Sequence, residues 1–249
     1  MSTPCGEGCS RDVDFPVPIL TIPRAVRLVA TARLRDPVLL GLVPRSMLDD
    51  LAEIEGATSA RLHEQRVAAE TYPSNRPHAA FVNAAFTYFR PREMNRFNGP
   101  DRGAWYAAFA VETSLAEVSY HIRRELDRVG DYHATVDYAE VWASFAGAFV
   151  DLREQQPRPT CLDPDPMSGY PAGNALAAEA RAAGHNGIIY PSVRHIGGTC
   201  LVALWPHAVQ SVAQGAIWRI AWAGDAMPRV EALSAMTPGA DVQPDRVSC

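Results

Sequence analysis

Residues 96–118 read RFNGPDRGAWYAAFAVETSLAEV, and this stretch commits the chain to a strand and a helix in direct succession. Turn signals at Asn98-Gly99-Pro100 and at Gly103 lead into an apolar run, Ala104 to Ala110, that suits a buried strand. A helix-start signal follows with no linker between. Ser114 reads as an N-cap and Glu117, three positions on, as its reciprocal partner. That capping box predicts a helix over Ser114 to Leu126 with Glu117 in its first turn. On local pattern alone, capping explains the glutamate. The alternative is a carboxylate mounted at the positive end of a helix to stabilise a developing cation, with Arg96 upstream to hold an anion.

The rest of the chain supplies strands and helices without regular βαβα alternation, which favours an α+β class. Residues 1–22, with their prolines, glycines and cysteines, read as a flexible leader. Residues 23–78 form an N-terminal, mainly helical segment. It opens on a strand-like element at Val26, Leu28 and Val29. It continues in a helix capped by Ser46, with Met47, Leu48, Leu51 and Ile54 at helical spacing and a division at Gly56. Residues 79–224 form the core. Within it, residues 131–152 contain two strand-like runs and Gln155 to Gly173 a long Pro/Asp loop. Asn174 to Ala183 reads as a helix ended by Gly184. Two strands, Ile188 to Tyr190 and Thr199 to Trp205, meet at a Gly-Gly turn, and AIWRIAWAG is the last strand. Residues 225–249 read as a loose tail.

Composition narrows the chemistry. With 249 residues and 47% hydrophobic content, the chain can bury one large core. Its net charge of -5 argues against direct nucleic-acid binding. All 23 basic residues are arginine, so no lysine can form a Schiff base, and an anion site must use arginine or backbone N–H groups. The five cysteines, Cys5, Cys9, Cys161, Cys200 and Cys249, are odd in number and scattered, which argues against a disulfide framework. There is no secretory signal pattern and no apolar run near the roughly 18 residues of a membrane span, so a soluble, cytoplasmic protein is expected. The histidines lack metal-site spacing, so no metal is expected, and no Walker or GxGxxG loop appears.

Arg96 alone reads as a surface arginine or as a bidentate clamp on phosphate. Trp105 and Tyr106, adjacent in a strand, face opposite sides, and core packing suits Trp105 better. Ser192 and His195 invite a hydrolase reading, but no GxSxG elbow is present, and a turn serine bonding the backbone is the simpler account.

Two longer stretches, FVNAAFTYFRPREMNRFNGPDRGAWYAAFAVETSLAEVSYH and GHNGIIYPSVRHIGGTCLVALWP, resemble the RES-domain family over about Arg24 to Gly224. The likeness lies in an RFN turn, a tyrosine strand, a TxxAEV helix start and a GxxGIxYPSxR strand, in that order. The resemblance implies an ADP-ribosyltransferase-like mixed sheet core with flanking helices. It implies a toxin of a bacterial toxin–antitoxin pair that degrades NAD at the nicotinamide–ribose bond, by phosphorolysis or hydrolysis. NAD is then a substrate, phosphate or water the acceptor, and no cofactor is needed. Arg96 stands at the family arginine, Tyr106 at the tyrosine, Glu117 at the glutamate and Ser192 at the serine. Arg96 would grip pyrophosphate or phosphate, Tyr106 stack on nicotinamide or ribose, and Glu117 offset the cation. Ser192 would hold a hydroxyl or orient Glu117. Expected partners are a helix-turn-helix antitoxin and a second copy of the chain. Trp205, Trp218 and Trp222 stand either as interface anchors of that homodimer or as interior residues. ADP-ribosyl transfer to a protein, and an inactive binding module, remain as alternatives.

Overall fold

The computed structural model describes residues 15–31, 79–87 and 94–234. The helix expected from Ser46, the Cys5/Cys9 pair and Cys249 lie outside the described residues. In chain order the elements are β1 (Ile19–Ala30), α1 (Ala79–Thr87), β2 (Trp105–Ala108), α2 (Val111–Val129), β3 (His133–Asp151), α3 (Pro166–Ala182), β4 (Gly187–Pro191), β5 (Thr199–Ala203), β6 (Val209–Ala223) and β7 (Arg229–Ser234). This is an α+β fold on a mixed seven-stranded sheet ordered β1-β2-β5-β4-β3-β6-β7.

β3 organises the sheet. It pairs antiparallel with β1 from Ala148 back to Tyr138, and antiparallel with β6 from His133 to Phe145. Beyond that point, Phe149 to Asp151 pair parallel with β4. Together with β1–β2, β2–β5 and β5–β4, these pairings close a circuit of five strands, and β6 and β7 extend from it. Inside lies a core that includes Val26-side neighbours Ile22 and Ala25 with Trp105, Phe145, Phe149 and Leu201. The two strands expected in residues 131–152 are one 19-residue strand. Ala139, Val141, Ala143 and Phe145 are buried at period 2 through its middle, and no turn interrupts the run.

Three boundaries differ from expectation. The expected leader contributes to the fold from Phe15 onward. Pro16 and Pro18 accept from the Asp151 and Phe149 amides, and β1 begins at Ile19. The expected loop before Asn174 is helical from Pro166, because the Asp165 side chain accepts from the Met167 amide and Pro166 fits the first turn. The tail past Gly224 holds β7, paired with β6 from Ile217 to Ala221. That added strand bears on the tryptophans. Trp222 is buried, Trp205 Nε1 donates to the His185 carbonyl at 3.0 Å, and Trp218 Nε1 donates to Glu140 at 2.7 Å. All three are engaged within the chain, so they supply no argument for a dimer.

Glu140 repairs the sheet where its register shifts. Opposite Ala139 to Val141, β6 runs from Ile217 to Gln214, one residue more than β3. The buried Glu140 carboxylate accepts from the amide of Ala216 there (3.2 Å) and from the indoles of Trp142 and Trp218 (both 2.7 Å). Gly215 makes room, since a Cβ there would lie 2.3 Å from Glu140 Oε2. Glu140→Ala orphans three donors and should lower unfolding free energy in urea by about 2–4 kcal/mol. A loss under about 1 kcal/mol would mean that water replaces the carboxylate.

Candidate active site

Arg96 is 8% exposed, not a surface residue. It sits in the turn between the bridged residues Asn95 and Asn98. Its Nη1 donates to the carbonyls of Cys161 (2.6 Å) and Asp163 (2.9 Å), and its guanidinium carbon is 5.4 Å from the Tyr170 ring centre. Among the described residues no carboxylate lies within ion-pair distance of it. α3 packs directly on this turn. A Cβ on Gly173 would lie 2.0 Å from the Arg96 carbonyl, so only glycine permits the approach. One turn along, Asn174 Nδ2 donates to the Asn95 carbonyl at 2.8 Å.

Tyr106 holds the same turn from below. Its hydroxyl accepts from the Phe97 amide at 2.9 Å and donates to Asn98 Oδ1 at 2.8 Å. Asn98 in turn donates to the Arg102 carbonyl at 3.0 Å. Burial raises the phenol well above its ordinary range, so it stays a neutral donor. The hydroxyl is therefore engaged by protein. Trp105, on the opposite face of β2, is 1% exposed and belongs to the core inside the circuit.

The capping box does not form. α2 starts at Val111 with Ala110 as N-cap, and no side chain caps it. Ser114 instead donates from Oγ to the Val26 carbonyl at 2.8 Å, docking the helix on β1. Glu117 therefore lies in the second turn, and the first-turn acid is Glu112. The helix begins early because β2 ends at Ala108 and its apolar stripe requires it. Leu115 is buried against Leu28, Ile220 and Trp222, with Val118, Ile122 and Leu126 partly buried alongside.

Glu117 meets Ser192, 75 residues away in sequence. Ser192 Oγ donates to Glu117 Oε1 at 2.7 Å. The same oxygen accepts from the amides of Arg194 (3.1 Å) and His195 (3.0 Å), which uses all the hydrogen-bonding capacity of a hydroxyl. The His195 ring is bonded to Thr113 Oγ1 at 2.9 Å and not to Ser192, so no serine–histidine nucleophile pair exists. Cys200 Sγ approaches Glu117 Oε1 at 3.8 Å. Burial, and then Glu117, raise the Cys200 thiol, so it faces the carboxylate as S–H. Tyr190 lies alongside, packed edge-on to Phe97 at 4.8 Å, and burial raises its phenol too.

Three neighbours were not foreseen as site residues. Arg194 stacks 3.5 Å over the Tyr120 ring and donates from Nη2 to the Pro164 carbonyl at 2.9 Å. His121 follows Glu117 by one helical turn and is exposed. The protein around its ring lowers its proton affinity; Arg124, Arg194 and Arg96 add to this, against the pull of Glu117. Cys200 reaches the site only because β5 pairs Cys200 with Tyr190. The i, i+4 spacing to Glu117 was a signal for His121; nothing local pointed to Cys200. Among the described residues no cluster of His, Cys, Asp or Glu suits a metal ion. A separate cavity of about 340 Å³, lined by Leu20, Ile22, Arg24, Phe109, Arg153 and Ile189, includes none of these groups.

A family model described as "RES domain" matches residues 65–223, a span that holds Arg96, Tyr106, Glu117 and Ser192. No curated protein matches the chain. One solved structure, the MbcT–MbcA toxin–antitoxin complex of M. tuberculosis, aligns at 18% identity and a TM-score of 0.37 over 57% of this chain and 80% of that one. So loose a likeness adds nothing to the family match.

Tyr106→Phe leaves the Phe97 amide without its acceptor and should cost about 1–3 kcal/mol in urea unfolding. An unchanged midpoint would show that the turn does not depend on this hydroxyl.

Proposed function

Because this chain belongs to the RES-domain family, we propose that it breaks the nicotinamide–ribose bond of NAD and passes the ADP-ribosyl group to phosphate or water. The observation that carries the reading is the Ser192–Glu117 hydrogen bond at 2.7 Å, which fixes one carboxylate oxygen on a rigid helix, beside a buried arginine that no carboxylate among the described residues reaches. Cleavage of this bond passes through an oxocarbenium-like ribose, as in glycoside hydrolysis. Nicotinamide leaves as a neutral amide, so strong acid assistance is not required. Ser192 holds Glu117 Oε1, and the second oxygen serves the ribose and its developing charge. Arg96 uses Nη1 on the loop carbonyls, and its remaining N–H groups serve phosphate oxygens. Tyr106 acts by bracing the Arg96 turn.

The same reading makes the protein a toxin of a toxin–antitoxin pair acting in the cytoplasm, with a helix-turn-helix antitoxin as partner. Among the described residues no helix is long and apolar enough to cross a membrane. A homodimer remains part of the proposal on the family resemblance alone. Incubation of purified protein with NAD, with and without phosphate, and mass analysis of products tests the activity. Free nicotinamide with ADP-ribose or its phosphate is expected; label fixed on protein would favour transfer to a protein target, and intact NAD would refute the reading.

Glu117→Gln keeps the shape and an acceptor for Ser192 but removes the charge. It should leave circular dichroism native and lower NAD turnover by about 10²-fold or more. Wild-type turnover would reduce Glu117 to a structural partner of Ser192. Arg96→Lys keeps a charge but loses the planar fork, so the Michaelis constant for NAD should rise first, with any fall in maximal rate second. Unchanged kinetics would confine Arg96 to bracing the loop.

A further inference from the structure

We infer that Arg194 is a second phosphoryl-binding residue of this site, acting beside Arg96. The inference rests on the NAD reading above.

Arg194 is tied to the reacting region through its own backbone. Its amide donates to Ser192 Oγ at 3.1 Å, the oxygen that holds Glu117. Its side chain is pre-organised. The guanidinium lies 3.5 Å over the Tyr120 ring, and one N–H is fixed on the Pro164 carbonyl at 2.9 Å. Stacking on an aromatic face sets the plane of the fork, so less conformational entropy is lost when its free edge meets an anion.

The position matches that of Arg96. Arg96 grips the carbonyls of Cys161 and Asp163, and Arg194 grips the next one, Pro164. The Cα atoms of Asp163 and Pro164 are about 3.8 Å apart, as across any trans peptide, so the two guanidinium groups flank one short piece of chain. His121 feels both charges, and that of Arg124, together with Glu117. Among the described residues neither arginine has a carboxylate within ion-pair distance. Two fixed cations thus bond adjacent residues of one loop, with Glu117 and Asp163 as the carboxylates whose charge lies near them. Holding like charges together, partly out of water, is unfavourable unless an anion offsets them. A ligand with two linked phosphates does so, and so does a free phosphate dianion. The competing account makes Arg194 a staple between the Ser192 turn and the Pro164 loop. A staple has no reason to sense whether a ligand carries phosphate.

The test compares wild type, Arg194→Gln and Arg194→Lys. ADP and adenosine binding are measured by calorimetry, and NAD turnover with and without inorganic phosphate. Arg194→Gln should weaken ADP by about 10-fold or more and leave adenosine unchanged, with Arg194→Lys between. That result assigns Arg194 to the diphosphate of the dinucleotide. Retained ADP affinity with loss of the phosphate-dependent rate assigns it to free phosphate, and still supports the inference. If ADP affinity and phosphate dependence both match wild type, the inference is overturned. Should Arg194→Gln not fold, Arg194→Lys decides by the same comparison. Wild-type protein that binds neither NAD nor ADP would sink the NAD reading itself, a different outcome from failure of the clamp alone.

Discussion

Among the described residues no carboxylate reaches the buried Arg96 guanidinium, so neutral oxygens have to satisfy it, and much of the described fold is arranged around that requirement. Two carbonyls of the Cys161–Asp163 stretch meet Nη1, which holds the loop before α3 down over the turn. α3 then has to lie close, and it does so with Gly169 and Gly173 where a Cβ would collide with Asp163 or Arg96. Tyr106 and Asn98 fix the turn from the other side. Carbonyl dipoles solvate the charge without neutralising it. In the proposed function an anionic ligand supplies the complement.

Glu117 and Ser192 supply the second constraint. Their hydrogen bond joins α2 to the turn after β4, a junction that the Thr113–His195 bond also holds. Two backbone amides aim the Ser192 hydroxyl, so its proton goes to Glu117 and to no other group. In the proposed reaction Ser192 therefore orients Glu117. The carboxylate, in the second turn of α2 and not the first, is placed by the docking of Ser114 on the Val26 carbonyl and by the Leu115 stripe. Packing aims it; helix capping plays no part.

The closed five-strand circuit gives these groups a stiff frame. β3 closes it by pairing with both β1 and β4, and it also carries β6 outside the circuit. Its single long run brings the Ser192 turn, at the far end of β4, to the same side as the start of α2. Glu140 keeps the outer pairing intact across the extra residue in β6.

Local pattern was enough for the class of the fold, for the buried strand at Trp105, for the strands on either side of the Gly-Gly turn and for Gly184, which adopts φ +75° after α3. Family motifs in the sequence picked out Arg96, Tyr106, Glu117 and Ser192. These features depend on residue spacing within one segment, and spacing is visible in a linear chain. The start of α2 was misplaced because a Ser-x-x-Glu pattern looks the same whether its serine caps a helix or docks a helix already begun. The early start of α3 was missed because its local signal, the Asp165 cap before Pro166, lies in a stretch whose prolines and aspartates also read as loop. The unity of β3 and the strand β7 were missed because long-range pairing decided them. Partners were invisible for the same reason. That Arg96 would be buried against loop carbonyls, that Ser192 would spend its proton on Glu117, and that Arg194 and Cys200 would join them depends on contacts between residues tens of positions apart. Only the closed sheet sets those distances, because hydrogen-bond geometry is specified in space and not along the chain.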